Sequence, residues 1–360
     1  MLIESIGYFL PAKEVSTAQV VKDCKRKVWI PLEKITGINS RRMAGEEEFA
    51  IDLAIKAVEN CLYNSNYSAD DIDLVLCCNI SRLDEENKFA FEPSTSIRLV
   101  RHFGFKNAMA FDVSNACAGF FTGLKTAESY LKNGMASKIL VVSGEYITHI
   151  TKTAQKEIKG FRDVRMPCLT LGDSGVAAIV ESGQNEKLGF HNIDLFTYSE
   201  YSHYCVAHPT DQPHGGAIMY TQFNDLVDKT VPVCIDHSLS LAKEKGWDLR
   251  DFDHLVMHQI SSQTIKQVKG RLNDWANDEL FHDGNTINNL GKRGNTSSTT
   301  HFVALMDNIL SGRIKSGDKI LFSVNASGIT VGTAFYTFDD LPDRIRERAQ
   351  VNEQKVKEGA

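Results

Sequence analysis

Short apolar runs alternate with amphipathic stretches along most of the chain. The runs LVLCCNI at 74–80 and HLVMHQI at 254–260 are rich in aliphatic residues, which is typical of buried strands. Each run follows a stretch with apolar residues at helical spacing, at about 46–62 and 229–245. This alternation predicts an α/β fold in which sheets are buried between helices.

The two runs belong to a longer internal repeat. Asp71 and Asp251, which are 180 residues apart, each begin an Asp-X-Asp turn before a run. SNAC at 114–117 and GNTS at 294–297 match at the same offset, and both precede a helix-like segment. Chance similarity between two α/β segments is the alternative, but two matches at one offset favour duplication.

The repeat divides the chain into three predicted segments. The N-terminal half spans 1–185, and the C-terminal half spans 186–340. The remaining segment, 341–360, is charged and poor in apolar residues. It is expected to form a surface helix or a frayed end.

Composition excludes several classes of protein. With 42% hydrophobic and 24% charged residues, the 360-residue chain is in the globular range. A formal charge of -6 and a pI near 6.0 give no general attraction to nucleic acid or anionic membranes. We find no signal-peptide pattern and no apolar stretch of membrane-spanning length, so we expect a cytoplasmic protein. The eight cysteines contain no CxxC pair, and no metal site is predicted.

Cys117 is the strongest candidate for a nucleophile. It lies between a predicted strand at 108–113 and a predicted helix at 118–132. Free N–H groups and the dipole at a helix start stabilise a thiolate, so we expect a lowered pKa. Small neighbours leave the backbone open to a bound acyl group, and a thiolate is the species that acyl transfer requires.

The other cysteines are predicted to be core residues, because most lie in apolar runs or on helical faces and free cysteine is usually buried. This prediction covers Cys24, Cys61, Cys77, Cys78, Cys168, Cys205 and Cys234.

The repeat also indicates partners for Cys117. His258 ends the second apolar run, and Asn295 occupies the position equivalent to Asn115. Both can hydrogen-bond to a thioester or enolate oxygen. The alternatives are a core histidine and a helix N-cap.

Several motifs, in this order, resemble the β-ketoacyl-ACP synthase III branch of the thiolase superfamily over nearly the whole chain. They are FDVSNACAGF at 111–120, LGDSGVAAIV at 171–180, HQISSQTI at 258–265, NLGKRGNTSSTT at 289–300 and SVNASGITVG at 323–332.

The resemblance implies a thiolase fold, with two duplicated halves in a five-layer αβαβα sandwich. It implies that Cys117 accepts the acyl group, while His258 and Asn295 activate the second substrate and stabilise a carbanion or enolate. The oxyanion hole would use the backbone N–H groups of Cys117 and Ser327.

The resemblance also implies a coenzyme A site and a homodimer. Arg165 would touch the nucleotide, and Asn224 would lie along the pantetheine channel. Acyl-CoA would be the first substrate, and malonyl-CoA, malonyl-ACP or a second acyl-CoA the second. No cofactor is implied.

Departures from the family pattern leave the reaction open. Gln263 replaces an arginine thought to dock acyl carrier protein, and 325–328 reads NASG rather than a run of glycines. Glu92 falls where the family has a phenylalanine that crosses the dimer interface. A carboxylate there resembles head-to-head condensing enzymes of olefin biosynthesis, in which a partner subunit's glutamate takes an α-proton. Alternatively, Glu92 is a carboxylate near a helix start before Pro93, without a catalytic role.

Three hypotheses follow. The first is a decarboxylative condensation of an acyl group on Cys117 with a malonyl thioester. The second is a head-to-head condensation of two acyl thioesters, or acyl transfer to an alcohol or amine. The third is an inactive partner in a heterodimer, against which the set Cys117, His258 and Asn295 argues.

Overall fold

The computed structural model describes residues 1–85 and 88–358. The strands up to residue 181 are β1 (Leu2–Phe9), β2 (Glu14–Ser16), β3 (Ser40–Arg42), β4 (Leu74–Cys77), β5 (Leu83–Glu85), β6 (Lys88–Phe89), β7 (Met109–Asp112), β8 (Lys138–Glu145) and β9 (Ser174–Glu181). The helices are α1 (Thr17–Lys22), α2 (Leu32–Thr36), α3 (Ala50–Tyr63), α4 (Thr95–Phe103), α5 (Gly119–Lys132) and α6 (Thr148–Glu157).

The rest of the chain repeats much of this order. Its strands are β10 (Gly189–Thr197), β11 (Cys205–Pro209), β12 (Ala217–Thr221), β13 (His254–Met257), β14 (Thr286–Ile287), β15 (Lys319–Ala326) and β16 (Thr330–Thr337). Its helices are α7 (Phe223–Lys245), α8 (Ser262–Ala276), α9 (Leu290–Arg293), α10 (Thr300–Leu310) and α11 (Leu341–Glu358).

Two five-stranded sheets have the same topology. The first has the order β1-β9-β8-β4-β7, and the second has the order β10-β16-β15-β13-β14. In each sheet the fourth strand of this order, β4 or β13, pairs in parallel with both neighbours. The second strand, β9 or β16, pairs antiparallel with both of its neighbours. The duplicated architecture predicted from the repeat is therefore present in the strand order.

Helices α5 and α10 form the layer between the two sheets. Helix α5 contacts β8 and β10, and α10 contacts β1 and β13. Phe120 and Phe302 meet between these helices, with ring centroids 4.5 Å apart. Helix α3 covers the outer face of the first sheet, and α7 covers the outer face of the second. The molecule is thus a five-layer αβαβα sandwich, as the resemblance implied.

Close packing of α3 on the first sheet depends on glycines in neighbouring strands. A Cβ on Gly144 would lie 2.1 Å from the carbonyl oxygen of Ala50, and one on Gly175 would lie 2.1 Å from that of Leu53. These glycines pair with each other across β8 and β9. The helix backbone therefore lies against the sheet where any larger residue would collide with it.

Most of the predicted helices and strands are confirmed, although some of them begin at other residues than predicted. The helix expected at 118–132 begins at Gly119, and the one expected at 229–245 begins earlier, at Phe223. The C-terminal segment forms α11, which is docked through buried Leu341 and Ile345 rather than frayed. The domain boundaries at 185 and 340 stay predictions.

Within the described residues, no helix combines the length and apolar character needed to cross a membrane.

The variant Gly144→Ala should destabilise the fold by about 1–3 kcal/mol, because the added methyl group overpacks the contact between α3 and β8. Urea unfolding would measure the loss. Gly160→Ala is the matched control, since a Cβ there meets no heavy atom within 4 Å. It should change the free energy of unfolding by less than about 0.5 kcal/mol. Equal stability of both variants would contradict the packing argument.

Candidate active site

A cavity of about 940 Å³ lies where the two halves meet. Its wall is largely apolar, with isoleucine, leucine and methionine side chains from both halves. Cys117, His258 and Asn295 all line it. The tertiary structure therefore brings together the three residues that the sequence singled out, although they are distant along the chain.

Cys117 sits in a tight turn that leads into α5. The turn, Ala116–Ala118, is a short 3-10 helix, and the backbone of Ala116 is left-handed with φ of 44°. That conformation is uncommon for a residue other than glycine and costs about 1–3 kcal/mol. The strained turn presents the half-buried Cys117 side chain to the cavity.

The second half of the repeat supplies the same kind of turn. Ser297, the counterpart of Cys117, has φ of 61° and lies in the 3-10 turn Ser297–Thr299 before α10. Its Oγ is 3.5 Å from the Sγ of Cys117. Equivalent residues of the two halves thus meet at the centre of the site, and Ser297 had no predicted role.

The expectation of a lowered Cys117 pKa is wrong. Burial raises the pKa of the thiol to about 12, and the nearby charge of Glu145 adds to the increase, while the hydrogen bond with Ser297 opposes it. Water lost from around the sulfur disfavours the anion more than the helix start favours it. Cys117 therefore rests as a thiol and must lose its proton during attack.

His258 is positioned to hold a proton. Its Nδ1–H donates to the carbonyl oxygen of Asn325 at 2.5 Å, and its Nε2 lies 2.9 Å from Oδ1 of Asn295. The backbone N–H of Ser297 donates to the same Oδ1 at 3.0 Å, which fixes that atom as an acceptor. Both ring nitrogens therefore face oxygen acceptors.

Burial nevertheless lowers the pKa of His258, so the ring is neutral at rest. If Nε2 took a proton, the two acceptors already in place would stabilise the cation. The arrangement suits a base that is neutral before reaction and is stabilised once charged.

The predicted oxyanion residue Ser327 lies in the loop after β15 and lines the cavity. Its hydroxyl donates to Sγ of Cys205 at 3.0 Å.

Cys205 is half-buried and also lines the cavity, so the prediction that it is a core residue is wrong. The same prediction is confirmed for the remaining candidates, which are buried: Cys24, Cys61, Cys77, Cys78, Cys168 and Cys234.

The predicted coenzyme A residues differ in their surroundings. Asn224 lines the cavity, whereas Arg165 is not among its lining residues. The Arg165 guanidinium is held by Asp163 at 2.7 Å and Glu157 at 3.0 Å. Arg162, three residues earlier, lines the cavity instead. A nucleotide contact by Arg165 would therefore require it to leave these ion pairs.

Glu92 is exposed, ahead of α4, and does not line the cavity of its own chain. The N-cap of α4 is Ser94, whose Oγ accepts from the N–H of Ile97. Glu92 thus lies two residues before the cap. Its role as a base supplied by a partner subunit stays a prediction.

Glu145 is a buried carboxyl close to the nucleophile that had no predicted role. Its Oε1 accepts from Ser298 Oγ, from Ser143 Oγ at 3.0 Å and from the N–H of Ile80 at 3.0 Å. Burial raises its pKa to about 7. An acidic residue at the end of β8, three residues after the apolar run 139–142, was the signal available in the sequence.

No group of three or more metal-ligating side chains is found within residues 1–85 and 88–358. The polar atoms of the site are a thiol, an imidazole, amides and hydroxyls, which suits acyl transfer.

Comparison with known families gives this geometry a context. Residues 111–199 match the family described as 3-oxoacyl-[acyl-carrier-protein (ACP)] synthase III, and residues 242–338 match the C-terminal part of that family. The first range contains Cys117, and the second contains His258 and Asn295. The chain belongs to this family. It is a synthase III-like condensing enzyme with the thiolase fold.

Relatives match over most of the chain. The β-ketoacyl-[acyl-carrier-protein] synthase III of Aliarcobacter butzleri is 28% identical over 349 residues, which cover 93% of this chain and 96% of that protein. The enzyme of the same name from Campylobacter jejuni is 28% identical over 346 residues, with 93% and 97% covered.

Solved structures share the fold. Synthase III from Thermus thermophilus superposes with a TM-score of 0.78 at 24% identity, covering 94% of this chain and 99% of that one. Xanthomonas campestris OleA, in a structure with bound lauric acid and lauroyl-CoA, gives 0.80 at 20% identity, with 94% and 98% covered. The priming β-ketosynthase of the R1128 polyketide pathway gives 0.80 at 21%, with 95% and 97% covered.

Alkylation of Cys117 by iodoacetamide should accelerate roughly tenfold per pH unit between about pH 7 and pH 9.5, because its thiol pKa lies far above this range. Mass spectrometry of the Cys117 peptide would follow the rate. Ser297→Ala should slow alkylation further, since the hydrogen bond with Ser297 lowers the thiol pKa and its loss would raise it. A rate that levels off below about pH 8 would instead indicate a thiolate stabilised by the helix start.

Proposed function

We propose that this protein loads an acyl group from acyl-CoA onto Cys117 and condenses it with a malonyl thioester. The observation that carries the proposal is that Cys117, His258 and Asn295 line one cavity, in a chain of the synthase III family. An inactive partner of a heterodimer would have no need to keep these three groups together.

In the loading step, the Cys117 sulfur attacks the thioester carbonyl of acyl-CoA. A carbon–sulfur bond forms to Cys117, the bond to coenzyme A breaks, and coenzyme A leaves as its thiol with the proton that Cys117 loses. His258 can carry that proton at Nε2. The N–H groups of Cys117 and Ser327 would stabilise the oxyanion of the tetrahedral intermediate.

In the condensation step, the malonyl group loses CO₂ and the electrons of the broken bond form an enolate. The enolate carbon attacks the acyl carbonyl on Cys117, and the cysteine sulfur leaves as a thiolate, which takes up one proton to restore the thiol. His258 and Asn295 would stabilise the enolate oxygen by hydrogen bonds. This requires the ring to take up a second proton at Nε2 from water, beside the one that Nδ1 donates to Asn325, and the Asn295 amide to turn its N–H toward the substrate. The largely apolar cavity suits an acyl chain with a pantetheine arm.

Incubation with an acyl-CoA should add one acyl mass to the intact protein, and Cys117→Ala should abolish the addition because no other group attacks the thioester. Intact-mass spectrometry measures both. Cys24→Ala, which removes a buried thiol elsewhere, serves as the matched control and should acquire the full mass. Acylation of the Cys117→Ala protein would overturn the proposal.

A second function, head-to-head condensation of two acyl-CoA molecules, is favoured by the surroundings of Glu92. Phe91 beside it is 76% exposed, and Phe89 is 49% exposed. Met109, 48% exposed, lies on β7 at the edge of the first sheet. Exposed apolar side chains next to an edge strand suit a contact with a second copy of the chain. Such a homodimer would bring Glu92 toward the partner's site.

Removal of an α-proton from a plain acyl thioester requires a base, whereas malonyl decarboxylation does not. If Glu92 is that base, product should form from acyl-CoA alone, and Glu92→Gln should abolish it. Heterodimers that combine a Cys117→Ala subunit with a Glu92→Gln subunit should then recover about half of the wild-type activity, because one of two sites is complete. Inactive heterodimers would exclude a base supplied by the partner.

The mouth of the cavity supports a proposal for the carrier of the second substrate. Gln263, which is exposed at the start of α8, lines the mouth with an uncharged side chain. A coenzyme A ester needs no docking protein, so we propose coenzyme A esters as substrates and a cytoplasmic site of action.

A further inference from the structure

The loop 325–328, which comprises the last two residues of β15 and the turn after them, is fixed at several points. His258 holds its first residue through the carbonyl oxygen of Asn325 at 2.5 Å. Beyond the loop, Ile329 exchanges backbone hydrogen bonds with Tyr198 at 2.8 and 3.2 Å. Between these points, the Ser327 hydroxyl donates to Cys205 at 3.0 Å. The position of the Ser327 backbone therefore depends on where Cys205 lies.

Cys205 begins β11, which forms a two-stranded hairpin with β12. The hairpin lines the cavity through Cys205, Ala207, Met219 and Thr221. Strand β12 is anchored by Ile218, which is fully buried, whereas the residues of β11 after Cys205 are exposed. A strand with few buried contacts is held weakly, and a ligand in the cavity would add to those contacts.

We propose that the Ser327–Cys205 contact couples the packing of the acyl group against the hairpin β11–β12 to the placement of the Ser327 N–H in the oxyanion hole. Cys205 is then a positioning residue, which acts through Ser327 and not on the reacting atoms. The inference rests on the proposed function, since it assumes that the Ser327 N–H faces the thioester oxygen.

The coupling has a kinetic signature. Binding energy from an acyl chain that fixes the oxyanion loop is realised in the transition state, so it raises kcat rather than lowering KM. In the wild-type enzyme, kcat should rise along a series from acetyl-CoA to decanoyl-CoA as the chain reaches the hairpin. When the contact is broken, kcat should depend less on chain length.

Cys205→Ala removes the acceptor, and Ser327→Ala removes the donor. Each should lower kcat for condensation about three- to tenfold, the worth of one hydrogen bond, with KM for acyl-CoA changed less than about twofold. Because both remove the same contact, the double variant should be no worse than either single one. Cys205→Ser keeps an acceptor and should retain most of the wild-type kcat.

Cys24→Ala is the matched control for loss of a half-buried or buried thiol and should leave kcat unchanged. Intact-mass measurement of acyl-Cys117 distinguishes failure of the proposed function from failure of the proposed coupling. If the wild-type protein does not acylate, the proposed function fails. If it acylates and turns over, the coupling alone is overturned by single-variant losses that multiply in the double variant, or by an unchanged chain-length dependence of kcat.

Discussion

The meeting of two equivalent turns in the middle layer is the constraint on which the site depends. In each half a short 3-10 turn leads into a buried helix, and the two helices pack against each other between the sheets. That packing brings Cys117 and Ser297 to within 3.5 Å at the centre of the molecule. The left-handed residues Ala116 and Ser297 are tolerated because the surrounding layers hold both turns in place.

Burial at this centre sets the electrostatics of the site. Desolvation raises the pKa of Cys117 to about 12 and that of Glu145 to about 7, and it lowers the pKa of His258. Burial thus disfavours the charged form of each of these three groups. As a substrate reacts, the acceptors around His258 lie ready to stabilise a protonated ring, and the N–H groups proposed as the oxyanion hole would stabilise the negative charge.

The second half contributes more than a copy of the first. It places His258 and Asn295 in the cavity that Cys117 also lines, and it adds the hairpin β11–β12 to the cavity wall. The loop 325–328 lies between these features and contacts both, through Asn325 and Ser327. The residues proposed to carry out the reaction and the hairpin in the cavity wall are thus linked through a few residues of one loop.

Sequence alone determined the α/β class, the duplication and the set Cys117, His258 and Asn295, because helical and strand periodicities and ordered motifs are local properties of the chain. The tertiary structure decided the rest. The pKa of Cys117, the exposure of Cys205 to the cavity, the nearness of Glu145 and the ion pairs of Arg165 depend on atoms far away in sequence. Water is excluded from the site only when the five layers pack together, so no local sequence pattern could predict these effects of burial.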